Sequence, residues 1–388
     1  MKTCLTASLA YTPLDRIEQP VMVIEDGRIE AFGPREAVST NGCERFLHFP
    51  DGVLAPGFVD IHVHGGAGHD VMNDDPSATA GFEKHLAKHG VTSYCPTTVT
   101  ASIDRTLSAL KTLGASIWAS RAEDARARPM GVHLEGPFIS KTKCGVHPVA
   151  EIQKPSVELL RRFVEASGEA VRIMTVAPEL PGAAELIREA VLQRIRISMG
   201  HSDSGTTASK AGIAAGASHA THTFNAMRAL DHRRPGILGV TLSDDRISAD
   251  VIADGVHVAP DALKLFLKAK GEELAVLITD GISATGMPDG KYKLGPLEVE
   301  VGKGQCLYKG RLAGSILTQD LAVRNVVSMA EWKLQQAVRL ATLNPAQVIG
   351  VEGHKGSLAA GKDADVVVMT PDGHVVETLV GGIPLTSS

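Results

Sequence analysis

Asp60-Ile61-His62-Val63-His64-Gly65-Gly66 alternates polar and apolar residues and ends on a glycine pair. A strand sends successive side chains to opposite faces, so His62 and His64 share a face and can grip one ion. Such a pair is common in buried strands, and what decides its meaning lies further along the chain. Met130 to His133 leads into Glu135, Ile195 to Met199 into His201, and Val276 to Thr279 into Asp280; Thr221-His222-Thr223 adds a further histidine. Each apolar run is short and stops at a polar or glycine-rich turn. Chemistry sits at such places in a parallel barrel, at the C-terminal ends of its strands.

Working outward, strand candidates alternate with helical patterns at Val157 to Ala166, Gly182 to Val191, Ala262 to Lys270 and Leu321 to Trp332. That alternation predicts an α/β fold, a TIM-like (β/α)8 barrel. The two ends of the chain read differently. Val21 to Ile24, the turn Asp26-Gly27 and Ile29 to Phe32 form a hairpin pattern, and Ala364 to Thr370, Pro371-Asp372-Gly373 and Val375 to Val380 repeat it. We expect a small β-sandwich domain from both termini, residues 1–53 plus 356–388, flanking a catalytic barrel over 54–355. Pro288-Asp289-Gly290 and the run Tyr292 to Leu307 predict an extra hairpin after the Asp280 strand.

Composition limits the class. With 388 residues, 44% hydrophobic and 21% charged, the chain can bury a large core. A net charge of -5 and a pI near 6.3 argue against a nucleic-acid or membrane-surface binder. The five cysteines at 4, 43, 95, 144 and 306 have no C-x-x-C spacing, so neither a disulfide framework nor a thiolate zinc site is indicated, and a reducing cytoplasm is expected. No run approaches a membrane span, and the N-terminal stretch is a poor secretory signal.

Several segments carry a resemblance: Pro56 to His62, His133-Leu134-Glu135-Gly136-Pro137-Phe138, Gly145-Val146-His147, Gly200-His201-Ser202, Ala220-Thr221-His222, Phe224-Asn225-Ala226-Met227, Ile252 to His257 and Leu312-Ala313-Gly314-Ser315. Nearly end to end, the chain resembles the N-acetylglucosamine-6-phosphate deacetylase family of the amidohydrolase superfamily. The segments His133 to Pro137 and Asn225-Ala226-Met227 discriminate; Ala341 to Ala346 and Gly356 to Asp365 are shared more widely. The resemblance implies hydrolysis of the acetamide of N-acetyl-D-glucosamine 6-phosphate to D-glucosamine 6-phosphate and acetate.

Glu135, His201 and His222 supply a carboxylate and two imidazoles, suited to Zn²⁺ or Fe²⁺ with positions left open for water and substrate. Asp280 is the expected general base and acid, and His147 the donor to the carbonyl oxygen. Some members of the resembled family lack the His62 and His64 pair and work with one ion; here it is intact, which favours a second ion with Glu135 as bridge, one or two ions per subunit in all. On the substrate side the resemblance implies Val146 and His147, then Asn225, Ala226, Arg233 and His257 around the phosphate. Asp254 aims His257, and Leu312, Ala313 and Gly314 line the acetyl and ring side. Arg233 is expected to reach the neighbouring subunit's site in a homodimer; a solvated loop charge is the plainer reading of the same residue. His85 and His89, at i and i+4 without the Glu of a zincin motif, read as an exposed helical pair. Cys144 either touches a metal or fills space. Three other functions stay open: a deacetylase for the galactosamine epimer, a hydrolase of cyclic amides or nucleobases, and a sugar-phosphate sensor without catalysis.

Overall fold

The computed structural model describes residues 1–73, 79–119 and 124–385. Eight parallel strands follow chain order: Phe58–Val63, Val91–Thr98, Val132–Glu135, Val171–Val176, Arg196–Met199, His219–Ala220, Ser248–Ile252 and Ala275–Ile278. Each pairs with the next. The ring closes where Val63 bridges Gly281 and the Asp280 amide donates to the His62 carbonyl at 2.9 Å. A parallel neighbour needs a crossover, and here each crossover holds a helix. The seven crossover helices are Thr79–Lys88, Ile103–Trp118, Val157–Ala166, Ala183–Leu192, Thr206–Ala215, Gly236–Ser243 and Pro260–Leu274, and Gln319–Ala330 follows the eighth strand.

Strands covered on both faces need apolar residues on both, which is why these read as runs more than as alternations. Every residue of Phe58–Val63 and Val91–Thr98 is buried. The helices bury one stripe each. In Val157–Ala166, Leu159, Leu160 and Phe163 face the core while Arg161, Arg162 and Glu165 face water, and the Ser156 hydroxyl caps the first turn by accepting from the Leu159 amide at 3.2 Å. The helix expected at Ala262 to Lys270 is longer because Pro260 suits a first turn, whose amide would be unpaired anyway.

Both termini contribute to one mixed sheet of eight strands, the form taken by the expected sandwich. Its central strand, Arg45–Pro56, runs parallel to Thr3–Tyr11 and antiparallel to Val366–Met369. Both predicted hairpins form, Pro20–Glu25 with Arg28–Pro34 and Val366–Met369 with Val375–Val380. Asp26 and Gly27 both have positive φ, 48° and 75°, as the tight primed turn between twisted strands requires. Leu5, Met22, Ile24, Ile29, Leu54, Val366, Val368 and Leu379 form this sheet's own core. Residues 386–388 of the expected C-terminal segment lie outside the described residues. The insertion after Asp280 is larger than a hairpin: Gly290–Leu294, Leu297–Gly302, Gln305–Tyr308 and Arg311–Leu312 make a four-stranded antiparallel meander. It carries Leu294 and Leu312 to the open end of the barrel.

Beneath that end the barrel interior is polar. Asp60 accepts from the Thr279 hydroxyl at 2.6 Å and from the His62 amide at 3.2 Å, tying the first strand to the eighth. Burial pushes its carboxyl up to about 6 against those two hydrogen bonds. His133 Nδ1–H donates to the Ile61 carbonyl at 3.0 Å and Nε2 meets the Thr175 hydroxyl at 2.9 Å, so it is a barrel-interior residue. His219 lies 2.9 Å from Asp250, whose other oxygen takes the His222 amide.

Candidate active site

Strand periodicity places Asp60, His62 and His64 on one inward face and His133 and Glu135 on another. His201, His222 and Asp280 stand just past their strands with φ of 45°, 30° and 52°. Non-glycine residues seldom adopt this left-handed region, at a cost of order 1–3 kcal/mol, and here the bend turns three side chains inward over the barrel mouth.

Glu135 is the hub. Its Oε1 lies 2.9 Å from His222 Nε2, 3.0 Å from His201 Nε2 and 3.6 Å from His62 Nε2; its Oε2 lies 3.4 Å from His64 Nε2 and 3.3 Å from His147 Nε2. Asp280 Oδ1 sits 3.4 Å from His62 Nε2 and 3.2 Å from His64 Nε2. All of these residues are buried. Two donor groups emerge, His62 with His64 and Asp280, and Glu135 with His147 and His201.

Hydrogen bonds to the other ring nitrogen fix the tautomer of two of these rings when neutral. His64 Nδ1 faces the Thr97 carbonyl and His201 Nδ1 the Lys143 carbonyl, each at 2.9 Å. A carbonyl only accepts, so in the neutral ring the proton is on Nδ1 and Nε2 is bare. Bare Nε2 of His201 then meets a carboxylate oxygen at 3.0 Å and another imidazole Nε2, that of His222, at 3.1 Å; His64 meets His62 Nε2 at 3.2 Å. Donor atoms at such range suit several ligands of one cation. Tetrahedral zinc with Zn–N of about 2.0–2.1 Å would set its ligand nitrogens roughly 3.3 Å apart, so the donor set fits a divalent ion. Cys144 is half-buried, its thiol directed at the Gly145 carbonyl 3.7 Å away, and stands outside both donor groups.

Charge is balanced internally. Burial opposes ionisation of Glu135, yet His62 and His201 outweigh it and hold the carboxyl well below its usual range. Burial also opposes ionisation of Asp280, and His62 and His64 lower it all the same. Burial disfavours protonated His64, but Asp280 and Glu135 raise it to about 9, whereas burial wins at His201 and lowers it to about 4.

A cleft of about 590 Å³ opens above this cluster. Val146, His147, Asn225, Ala226, His257, Leu312 and Gly314 line it, joined by Val99, Ile252 and Leu294, to which the sequence reading gave no site role. Gly145 has φ of 60°, and a Cβ there would sit 3.2 Å from the His201 ring, so glycine suits the turn bearing Val146 and His147 at this close approach. The stretch Phe224 to Met227 is a turn, hydrogen-bonded from the Ser202 amide to the Ala226 carbonyl at 3.0 Å. Asp254 lies behind the cleft: Oδ1 accepts from the Val256 and His257 amides at 2.8 and 2.7 Å, and Oδ2 meets His257 Nδ1 at 2.6 Å. Ala313 is buried beside Gly314. Arg233 is exposed and outside the lining of its own chain's cleft. The expectation of an exposed pair at His85 and His89 is corrected: both are half-buried, His89 Nδ1 meets Asp320 at 3.0 Å, and burial lowers His85 to about 4. The helix face that looked solvent-facing lies under the loop after the eighth strand.

Known proteins of this shape bear the same signature. The sequence model of the amidohydrolase family matches residues 53–384. The N-acetylglucosamine-6-phosphate deacetylase of Bacillus subtilis (strain 168) is 36% identical over 92% of this chain and 91% of its own length. The N-acetylgalactosamine-6-phosphate deacetylase of Escherichia coli O157:H7 is 38% identical over 92% and 93%. A solved mutant of N-acetyl-D-glucosamine-6-phosphate deacetylase from Mycobacterium smegmatis, in complex with N-acetyl-D-glucosamine-6-phosphate, superposes with a TM-score of 0.92 at 32% identity over all of both chains. With its barrel, its histidine and carboxylate cluster and these relatives, the chain belongs to the N-acetylglucosamine-6-phosphate deacetylase family of amidohydrolases, enzymes that hydrolyse carbon–nitrogen bonds.

Proposed function

We propose that this enzyme deacetylates N-acetyl-D-glucosamine 6-phosphate to D-glucosamine 6-phosphate and acetate. The observation that carries the reading is the convergence on one cleft of the Glu135 cluster, Asp280, His147 and, on the other side, Asn225, Ala226 and His257. Glu135, His201 and His222 would hold a zinc or iron ion; His62 and His64 would hold a second, with Glu135 shared. Such an ion, when bound, lowers the pKa of its water toward about 7 and polarises the acetamide carbonyl. Asp280, ionised at neutral pH, accepts a proton from the attacking water and returns it to the amine nitrogen, which leaves only once protonated. The Nε2–H of His147 donates to the carbonyl oxygen as negative charge develops there. His257, aimed by Asp254, and the Asn225-Ala226 turn receive the phosphate, while Val146, Leu312 and Gly314, backed by Ala313, close over ring and acetyl group.

Arg233 would complete the phosphate site of the adjoining subunit in a homodimer; its exposed position outside its own cleft supports that role. The same reading takes 54–355 as the catalytic domain, 1–53 plus 356–388 as its companion, and the cytoplasm as the compartment. Among the described residues no helix is long and apolar enough to cross a membrane. The 38% identity to a galactosamine-type relative supports a second reading, the C4 epimer as substrate.

Acetate release by the metal-loaded protein decides among these. We expect kcat/KM for N-acetylglucosamine 6-phosphate to exceed that for unphosphorylated N-acetylglucosamine by at least about 100-fold, the worth of a lost charged contact. Higher kcat/KM on N-acetylgalactosamine 6-phosphate would reassign the sugar. Indifference to phosphate would remove the anion site from the reading.

A further inference from the structure

The end of the second barrel strand, Thr97 to Thr100, faces two histidines of the site with opposite chemistry. Thr97 presents a carbonyl to His64 Nδ1, so in the neutral ring Nε2 of His64 is bare. Three residues later the polarity reverses. The Thr100 amide donates to His147 Nδ1 at 3.2 Å, and the Thr100 hydroxyl lies 2.7 Å from the same nitrogen. A backbone amide can only donate, so Nδ1 of His147 is an acceptor and the hydroxyl beside it must donate as well. The single ring proton is therefore on Nε2, the atom that faces Glu135 and the cleft.

We propose that Thr100 is a positioning residue that fixes His147 as an Nε2–H donor, keeping it out of the ligand set that the neighbouring histidines form. The grouping of His147 with Glu135 and His201 by distance alone would make it a ligand; the Thr100 contacts make it a donor. Two contacts on one nitrogen also fix the plane of the ring, which sets the direction of the Nε2–H bond. Thr100 is buried, 2% exposed, and its hydroxyl fills the space where a Cβ on Gly136 would meet it at 2.1 Å. The strand end, the Glu135 turn and His147 are thus packed as one unit.

This inference rests on the proposed deacetylation for its kinetic test and is independent of it for its spectroscopic one. In zinc-loaded protein labelled with ¹⁵N-histidine, with His147 assigned by loss of its signals in His147→Gln, long-range ¹H–¹⁵N spectra should show His147 protonated at Nε2. A proton on Nδ1 overturns the proposal whatever the substrate proves to be. Kinetically, Thr100→Val, nearly isosteric but without the hydroxyl, should lower kcat about tenfold with KM and zinc content near wild type, and Thr100→Ser should recover kcat to within about threefold, as one lost hydrogen bond predicts. Unchanged kcat in Thr100→Val, or a Thr100→Ser as impaired as the valine variant, overturns it. Nε2–H on His147 in a protein that leaves N-acetylglucosamine 6-phosphate intact would keep the positioning role and sink the substrate instead.

Discussion

The Nε2 atoms of His201 and His222 lie 3.1 Å apart, and both lie within 3.0 Å of one oxygen of Glu135. A carboxylate oxygen and two imidazole nitrogens so close in a buried pocket fit a divalent cation among them. Chelation should abolish acetate release, and a divalent ion should restore it. Elemental analysis after metal loading should give about two ions per chain in the wild type and about one in a His62→Ala, His64→Ala double variant. Equal metal content in the two proteins would leave the first-strand pair without a metal.

Asp280 touches both His62 and His64 through one oxygen, so Asp280→Asn retains an oxygen acceptor while losing the base. Metal content should stay near normal and kcat should fall by about 10²–10⁴-fold, the usual worth of a general acid–base group. Substantial residual turnover would take Asp280 out of the proton transfer.

Protons and metal compete for the same nitrogens. In the metal-free site His64 is raised to about 9 and His62 is raised too, since for both the Asp280 and Glu135 carboxylates outweigh burial. At pH 7 the His64 ring is then protonated, and metal binding must expel that proton. Zinc titration in weak buffer should release about one to two protons per chain, and apparent affinity should fall as pH drops from 9 to 6. Proton-neutral binding at pH 7 would show that the rings are already neutral.

Arg233 stands exposed, away from its own cleft. Arg233→Ala should reduce the preference for phosphorylated sugar by about tenfold or more. Mixing it with Asp280→Asn under conditions of subunit exchange should recover part of the lost activity. Without recovery in verified heterodimers, shared sites are ruled out.

Much of this molecule is legible in its sequence because strand and helix periodicity are local. Apolar runs ending at His201 and Asp280 announce parallel strands and the end that bears chemistry, and Asp26-Gly27 announces a hairpin because few residues accept two consecutive positive φ angles. The residue types of the cluster were equally visible, since carboxylate and imidazole side chains carry their chemistry with them. Where caps and turns decide a boundary, as at Pro260, the sequence reading missed by a residue or two.

What only the tertiary structure decided depends on atoms distant in the chain. Nothing in the order of residues places the Thr100 amide on His147, 47 positions away, or the Lys143 carbonyl on His201; a backbone group has no letter of its own. Asp60 and Asp250 were invisible as supports for the same reason, and His85 and His89 looked exposed because the loop that covers them comes from a distant part of the chain. Residue type and short-range spacing thus determined the fold and the inventory of the site. Which histidine nitrogen carries the proton, and hence which ring is ligand and which is donor, was decided by the packing of strands that meet only when the barrel closes.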